Sequence, residues 1–207
     1  MEQIGLLHDG QIYDLQTAEA LNIKGDIIKA DDSKESLEIL RHSCAHMMAQ
    51  AIKELYPEAK FFVGPVVKEG FYYDFKVESK ISDEDLPTIE KKMKEIADRK
   101  LPITRYETTK EEFYEKFKND ELKQAVLKNI KDDTLTIYKQ GDFEDLCRGP
   151  HLPNTRMIRS FKLTRVAGAY LGGDEKNEMI TRIYGIAFFD KQALFDYTKM
   201  IEEAKKR

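Results

Sequence analysis

Two histidines four residues apart, His42 and His46, are the first residues of this chain whose spacing could support chemistry. Four residues along an α-helix correspond to about 6 Å of rise and about 40° of rotation, so both imidazoles lie on one face of a helix. Such a pair can converge on one metal ion or one water molecule. Ser43 stands where the HExxH motif of metalloproteases requires glutamate, which disfavours that class. Taken alone, such a pair is more often ordinary packing than a site.

A second group of chemically active residues contains Cys147 and His151 in the sequence Cys-Arg-Gly-Pro-His. The Gly-Pro pair predicts a tight loop rather than a helix. A lone buried cysteine is usually a small hydrophobic residue, but three of the four histidines of the chain fall in these two motifs. A sulfur and three imidazoles would make a tetrahedral ligand set. The candidate metal ligands are His42, His46, Cys147 and His151.

The segment from Cys147 to Arg165 is basic, with five cations and no acid. The cations are Arg148, Arg156, Arg159, Lys162 and Arg165. A basic strip beside a candidate site favours a substrate that carries phosphate. A solvated strand face is the alternative interpretation.

Composition excludes several classes of protein. The chain has 207 residues, 35% of them charged, and a net charge of −4, which is typical of a globular protein and excludes a wholly basic nucleic-acid wrapper. Two cysteines cannot form a disulfide framework. The first ten residues lack the apolar region of a signal peptide, and no apolar run reaches the ~18 residues that span a bilayer. We therefore expect a cytoplasmic protein with no membrane partner.

The sequence pattern also predicts the elements that position these residues. An Asp-Gly turn at 9–10 predicts a β-hairpin within residues 1–33, which end in a polar linker. Apolar residues at three- and four-residue steps predict a helix over 35–56 with Ser33 as its N-cap, so a second unit covers 34–207. Further along, the pattern predicts a hairpin at 61–75, a helix at 82–99, a strand at 101–108, two short helices within 109–130, a strand at 134–138, strands within 157–189 and a last helix from Asp190. This order favours the α+β class.

Two segments together resemble a known family. Arg-His-Ser-Cys-Ala-His at 41–46, followed by Asp-Leu-Cys-Arg-Gly-Pro-His at 145–151, resembles the editing domain of bacterial threonyl-tRNA synthetases. Shorter matching segments lie at 64–66, 70–74, 167–171, 173–174 and 182–185. The resemblance covers about residues 35–207 and implies an α+β domain in which an antiparallel β-sheet packs against helices, as in the threonyl- and alanyl-tRNA synthetase editing domains.

The resemblance implies a hydrolase that removes serine from threonine tRNA after mischarging. Serine lacks one methyl group of threonine, and a difference of that size gives only ~10- to 200-fold selectivity by binding, so a second pocket adds a further sieve. The implied partners are the 3′-terminal adenosine of threonine tRNA and the rest of the synthetase in cis. The family's catalytic core and anticodon-binding domain are not in this chain, so we expect neither aminoacylation nor ATP binding from it. Residues 1–33 would be a shortened form of the family's ubiquitin-like domain.

The resemblance also suggests a role for each candidate residue. His42 and Lys123 would handle the attacking water, and Asp145 would hold the seryl ammonium group. Lys123 could instead stabilise the oxyanion, and a surface ion pair is the alternative for Lys123 and Asp145. Tyr73 would stack on the terminal base, and the basic strip would grip the 3′ end of the tRNA. The remaining pocket residues would be His46, Cys147 and His151.

Metal binding and the reaction class stay open at this stage. The four ligands would suit Zn²⁺ with an open position for water, which the similar spacing in the alanine-specific relatives also implies. The threonine family is described as editing without a metal, so we expect zinc to be possible but not obligatory. Two alternatives remain: a tRNA-binding or zinc-stabilised module without turnover, and an alanyl-type deacylase that acts in trans.

Overall fold

The computed structural model describes residues 1–206. The N-terminal segment forms the predicted hairpin together with a short helix and a third strand. Its elements are β1 (Gln3–His8), β2 (Gln11–Asp14), α1 (Leu15–Ala20) and β3 (Asp26–Lys29). The strands form an antiparallel sheet in the order β2-β1-β3. The prediction of a hairpin alone was incomplete because α1 and β3 are too short to show a clear period.

The central helix, α2 (Lys34–Leu55), carries both helical histidines and is buried over most of its length. It begins where the side chain of Ser33 accepts a hydrogen bond from the amide of Ser36, as predicted. It ends just before Pro57, which cannot continue the hydrogen-bond ladder of a helix.

A five-stranded antiparallel sheet packs against this helix. Its strands are β4 (Lys60–Phe61), β5 (Val66–Val67), β6 (Gly70–Lys76), β10 (Ser160–Tyr170) and β11 (Met179–Phe188). The strand order is β10-β11-β6-β4, and β5 pairs with β6. Because side chains alternate along a strand, Phe71, Tyr73 and Phe75 of β6 are all directed into the core.

A smaller antiparallel sheet holds the second candidate motif. Its strands are β7 (Thr104–Thr109), β8 (Thr134–Gln140) and β9 (Phe143–Leu146). The short helices α4 (Lys110–Lys116) and α5 (Glu121–Lys128) connect β7 to β8 and complete a separate small core around Phe113 and Leu135. The remaining helices are α3 (Leu86–Asp98) and α6 (Lys191–Lys205).

The α+β class and the antiparallel sheets agree with the prediction. The boundary predicted near residue 33 is not a break in packing, because Ile4 and Ile28 belong to the same core as α2 and the large sheet. Within residues 1–206, none of the helices combines the length and the apolar character that crossing a bilayer would require.

Candidate active site

The 147–151 loop, which follows β9, brings Cys147 and His151 against α2. Gly149 has a φ of +80°, in the left-handed region that glycine adopts without strain. A Cβ atom at Gly149 would lie 2.5 Å from the hydroxyl oxygen of Tyr138 and 2.9 Å from Oδ2 of Asp14. Only glycine fits at position 149, which explains why the loop between Cys147 and His151 contains a glycine there.

Three of the four predicted metal ligands meet at this point. Ligand atoms of His42, Cys147 and His151 all lie within 4.8 Å of one another. His46 does not belong to this group, so the structure gathers three of the four predicted ligands rather than all four. His46 lies one helical turn further along α2, where its ring packs 4.4 Å from that of His151 and 6.0 Å from that of Tyr73.

Hydrogen bonds run through this cluster from α2 to the 147–151 loop. Ser43 Oγ accepts from the amide of Leu152 at 2.8 Å and lies 3.0 Å from His151 Nδ1. The other ring nitrogen of that histidine, Nε2, lies 3.1 Å from Cys147 Sγ. Both imidazole nitrogens are therefore engaged by protein groups. The sequence reasoning used Ser43 only to exclude a metalloprotease and missed this contact.

The N-terminal segment also contributes a buried carboxylate, from Asp14. Oδ2 of Asp14 accepts hydrogen bonds from the hydroxyl of Tyr138 at 2.5 Å and from the amide of His151 at 2.9 Å. Its Oδ1 accepts from the amide of Thr17 and so caps α1. The cap was a readable sequence signal, but no local pattern connects Asp14 with residues more than 100 positions away.

A buried ion pair lies on the other side of the cluster. Lys123 Nζ contacts Asp145 Oδ1, and the hydroxyl of Tyr73 donates to Asp145 Oδ2. The amide of Leu146 donates to Oδ1 at 2.8 Å. The side chains of Lys123 and Asp145 are only 4% and 2% exposed, so a surface ion pair is excluded for them.

Two predicted roles do not agree with this geometry. Tyr73 is 1% exposed, and its ring packs against His46 and Phe61, so it presents no free face to a nucleobase. Asp145 already accepts three hydrogen bonds or ion contacts from protein groups, which leaves no exposed oxygen for a seryl ammonium group. Asp145 instead pairs with Lys123, and Tyr73 donates a hydrogen bond to Asp145.

The predicted basic strip is also dispersed. Arg156 pairs with Glu2, and Arg159 pairs with Asp98 at 2.5 Å, so each has an acidic partner from another element. Two other members, Lys162 and Arg165, are exposed on the edge strand β10, and the guanidinium of Arg165 lies over the ring of Tyr184. These four residues do not face the cluster as one surface. The remaining member is Arg148.

Arg148 differs from the rest of the strip because it lies on the 147–151 loop itself. Its side chain is 90% exposed, with Asp132 at 3.9 Å. An adjoining surface cavity of about 340 Å³ is lined by Arg148, Cys147 and Thr136. Another cavity of about 340 Å³ reaches Lys123 and Asp145. The cluster is thus flanked by two openings.

Burial sets the protonation states of the cluster. Burial lowers the pKa of His42 and of His46 to about 4, although the charges of Asp14 and Asp145 respectively oppose this shift. Burial also lowers the pKa of His151 well below its ordinary value and raises that of the Cys147 thiol to about 12. At neutral pH the cluster consists of neutral imidazoles and a protonated thiol. His42 is the half-buried member of the three histidines and can accept a proton from a bound water.

These neutral histidines should make the protein less stable in acid. Above pH 6.5 they are neutral in both states. Between pH 6.5 and about 4 only the unfolded chain takes up protons, so the free energy of unfolding decreases as the pH is lowered through this range. His46 alone would account for on the order of 3 kcal/mol. Urea unfolding at several pH values measures the slope, which should decrease by about one proton in His46→Gln. A slope that is identical in the two proteins would contradict the assignment.

The structure defines an α+β domain in which a cluster of neutral histidines and a thiol lies between α2 and the 147–151 loop. A family model described as "Threonyl and Alanyl tRNA synthetase second additional domain" matches residues 135–184. This stretch runs from β8 to β11 and contains the 147–151 loop. The match indicates, for this stretch, the class of aminoacyl-tRNA synthetases that carry this additional domain.

Similar proteins narrow the class further. The chain is 65% identical over 206 residues to proteins named "Threonine--tRNA ligase" from Campylobacter jejuni subsp. jejuni and from Helicobacter hepaticus. Each match covers 100% of this chain and 34% of the relative. A Campylobacter lari protein of the same name is 72% identical over 177 residues, which is 86% of this chain and 29% of that protein. The chain belongs with the bacterial threonyl-tRNA synthetases and spans about a third of the length of these relatives.

Proposed function

We propose that this region hydrolyses the ester of seryl-tRNA(Thr), the product of mischarging by the synthetase. The observation that carries the proposal is the position of His42, a neutral imidazole at the accessible side of the buried cluster. An aminoacyl ester is already reactive, so one positioned water and one general base suffice to cleave it. The family model that covers the 147–151 loop supports a tRNA-linked substrate.

In this mechanism His42 removes a proton from the attacking water as the water adds to the ester carbonyl. The carbonyl oxygen becomes an oxyanion, and a preorganised positive charge stabilises such an oxyanion strongly in a dry site. Lys123 is the cation we assign to that role, because its ammonium group is fixed within the protein by Asp145, which Tyr73 holds in turn. The tetrahedral intermediate then expels the ribose oxygen, which takes up the proton, and free serine and tRNA are released.

The proposal includes the partners of the reaction. Arg148 would contact phosphates near the 3′ end of threonine tRNA, since it is the exposed cation on the 147–151 loop. The rest of the synthetase would present that end in cis. Both cysteines are free thiols, which suits a reducing cytoplasm. We assign threonine–tRNA ligation to the whole synthetase, and no part of it to this region.

The test is a deacylation assay with three substrates: seryl-tRNA(Thr), threonyl-tRNA(Thr) and seryl-tRNA(Ala). The editing proposal requires that serine is released from seryl-tRNA(Thr) and that threonyl-tRNA(Thr) is not hydrolysed. Equally fast release of serine from seryl-tRNA(Ala) would favour the alanyl-type deacylase. A folded protein that binds tRNA(Thr) and releases no serine would leave the tRNA-binding module as the remaining function.

A zinc-stabilised module is favoured by one observation, the group of His42, Cys147 and His151. Two imidazoles and a sulfur fit Zn²⁺ with an open fourth position, where the ion would polarise a bound water. We nevertheless expect a metal chelator to leave the melting temperature unchanged. The amides of His151 and Leu152 donate hydrogen bonds to Asp14 and Ser43, and these bonds hold the 147–151 loop without an ion.

Differential scanning fluorimetry with and without chelator measures the melting temperature. Zinc added in excess over the chelator controls for effects of the chelator itself. A fall of more than about 5 °C on chelation, reversed by zinc, would show that a metal stabilises the fold.

A further inference from the structure

The N-terminal segment places one carboxylate, Asp14, directly against the 147–151 loop. Asp14 is the last residue of β2 and the N-cap of α1, and its side chain is 2% exposed. Two of its partners come from distant parts of the chain: Tyr138 is 124 positions away and His151 is 137. The family model covers residues 135–184, so Asp14 lies outside the region by which the domain is recognised.

The contacts of Asp14 control both the backbone and the ring environment of His151. One oxygen, Oδ2, accepts from the backbone amide of His151 and from the hydroxyl of Tyr138. The ring of Tyr138 in turn packs 4.3 Å from the ring of His151. A single carboxylate oxygen therefore fixes where the loop lies and which surface supports the imidazole that contacts Cys147.

We propose that Asp14 is a positioning residue for the Cys147–His151 pair, so that the N-terminal segment is part of the editing site. This inference rests on the proposed function. Asp14 is buried and touches no position open to substrate; it acts through the 147–151 loop. Misplacement of catalytic groups by about 1 Å can lower a rate 100-fold, so loss of this anchor should affect turnover more than binding.

A second carboxylate of the N-terminal region provides a matched comparison. Asp32 also accepts two backbone amides across the same boundary, from Phe189 at 2.6 Å and Asp190 at 2.9 Å. These amides lie at the junction of β11 and α6, away from the 147–151 loop. Asp32→Ala therefore removes a similar attachment of the N-terminal region without removing any contact to that loop.

The experiment compares Asp14→Ala, Asp14→Asn and Asp32→Ala with the unaltered protein. The first measurement is kcat and KM for seryl-tRNA(Thr) deacylation, taken at a temperature where each variant is folded. The second is the rate at which iodoacetamide alkylates Cys147, located by peptide mass spectrometry. Cys44 is fully buried and serves as the internal control for general unfolding.

For Asp14→Ala we expect kcat to fall about 10- to 100-fold with KM within about twofold, and Cys147 to react several-fold faster while Cys44 stays protected. Asp14→Asn retains one acceptor oxygen, so its kcat and its rate of Cys147 alkylation should lie between those of Asp14→Ala and the unaltered protein. Asp32→Ala should lose stability but keep the kcat and the alkylation rate of the unaltered protein. A merely structural role for Asp14 predicts equal behaviour of Asp14→Ala and Asp32→Ala.

The inference is overturned if folded Asp14→Ala has unaltered kcat and unaltered Cys147 reactivity. If the unaltered protein releases no serine, the proposed function fails, and the alkylation rates alone decide whether Asp14 anchors the loop. If Asp14→Ala does not fold, Tyr138→Phe replaces it, because this change removes one donor to Asp14 and leaves the amide of His151 in place. Faster alkylation of Cys147 in that variant supports the inference, and an unchanged rate contradicts it.

Discussion

Replacement of His42 by alanine is expected to lower the rate of seryl-tRNA(Thr) deacylation by about 10²- to 10⁴-fold, the range of a lost general base. His42 is half-buried and its pKa is lowered to about 4, so at neutral pH its imidazole is neutral and has a free acceptor nitrogen. The fold should survive, because none of its ring atoms is needed to complete a hydrogen bond that holds the 147–151 loop. Single-turnover deacylation at saturating protein concentration measures the effect on the chemical step.

His8→Ala is the matched control for this prediction. His8 is the one histidine outside both motifs; its side chain is 47% exposed and contacts the neighbouring Asp9. The control variant should keep the full rate. A His42→Ala variant that keeps more than about a tenth of the rate would remove His42 as the general base and direct attention to Lys123.

The second large effect is expected on stability. Lys123→Met leaves the charge of Asp145 buried without a cation, and breaking a buried ion pair from one side destabilises proteins by about 3–5 kcal/mol. Deacylation should be lost as well, because the variant has no cation for the oxyanion. Urea unfolding measures the loss of stability, and the deacylation rate of the folded fraction measures the loss of activity.

Two further variants separate the effect of Lys123 on stability from its effect on deacylation. Lys60→Met removes a half-exposed partner of Glu121 and should change stability by less than about 1 kcal/mol. In Lys123→Met with Asp145→Leu, both charges are removed together, so much of the stability should return while the activity stays lost. Restored deacylation in the double variant would contradict the role of Lys123 at the oxyanion.

The candidate site shows why some parts of it were predictable from sequence and others were not. The predictions that agree with the structure are local: a helix with His42 and His46, a tight loop around Gly149, and an N-cap at Ser33. Local patterns determine the direction of a side chain within its own element because helix and turn geometry repeat over a few residues.

The predictions that failed depended on what each element packs against. His46 has the spacing of a ligand, yet its ring is buried beside Tyr73 and His151 and does not join the metal-like group. Tyr73 was expected to stack on a base, and its position on the inner face of β6 buries it instead. Neither outcome can be read from spacing, because burial is a property of two surfaces in contact.

By itself, the sequence determined the α+β class, the helix and loop that carry the cluster, and the resemblance to threonyl-tRNA synthetases. Only the tertiary structure decided which donors meet. It brought Asp14 from the N-terminal segment to His151 and buried Lys123 with Asp145. The reason is physical: a buried polar group must find a partner wherever the fold provides one, and that partner is often far away in sequence.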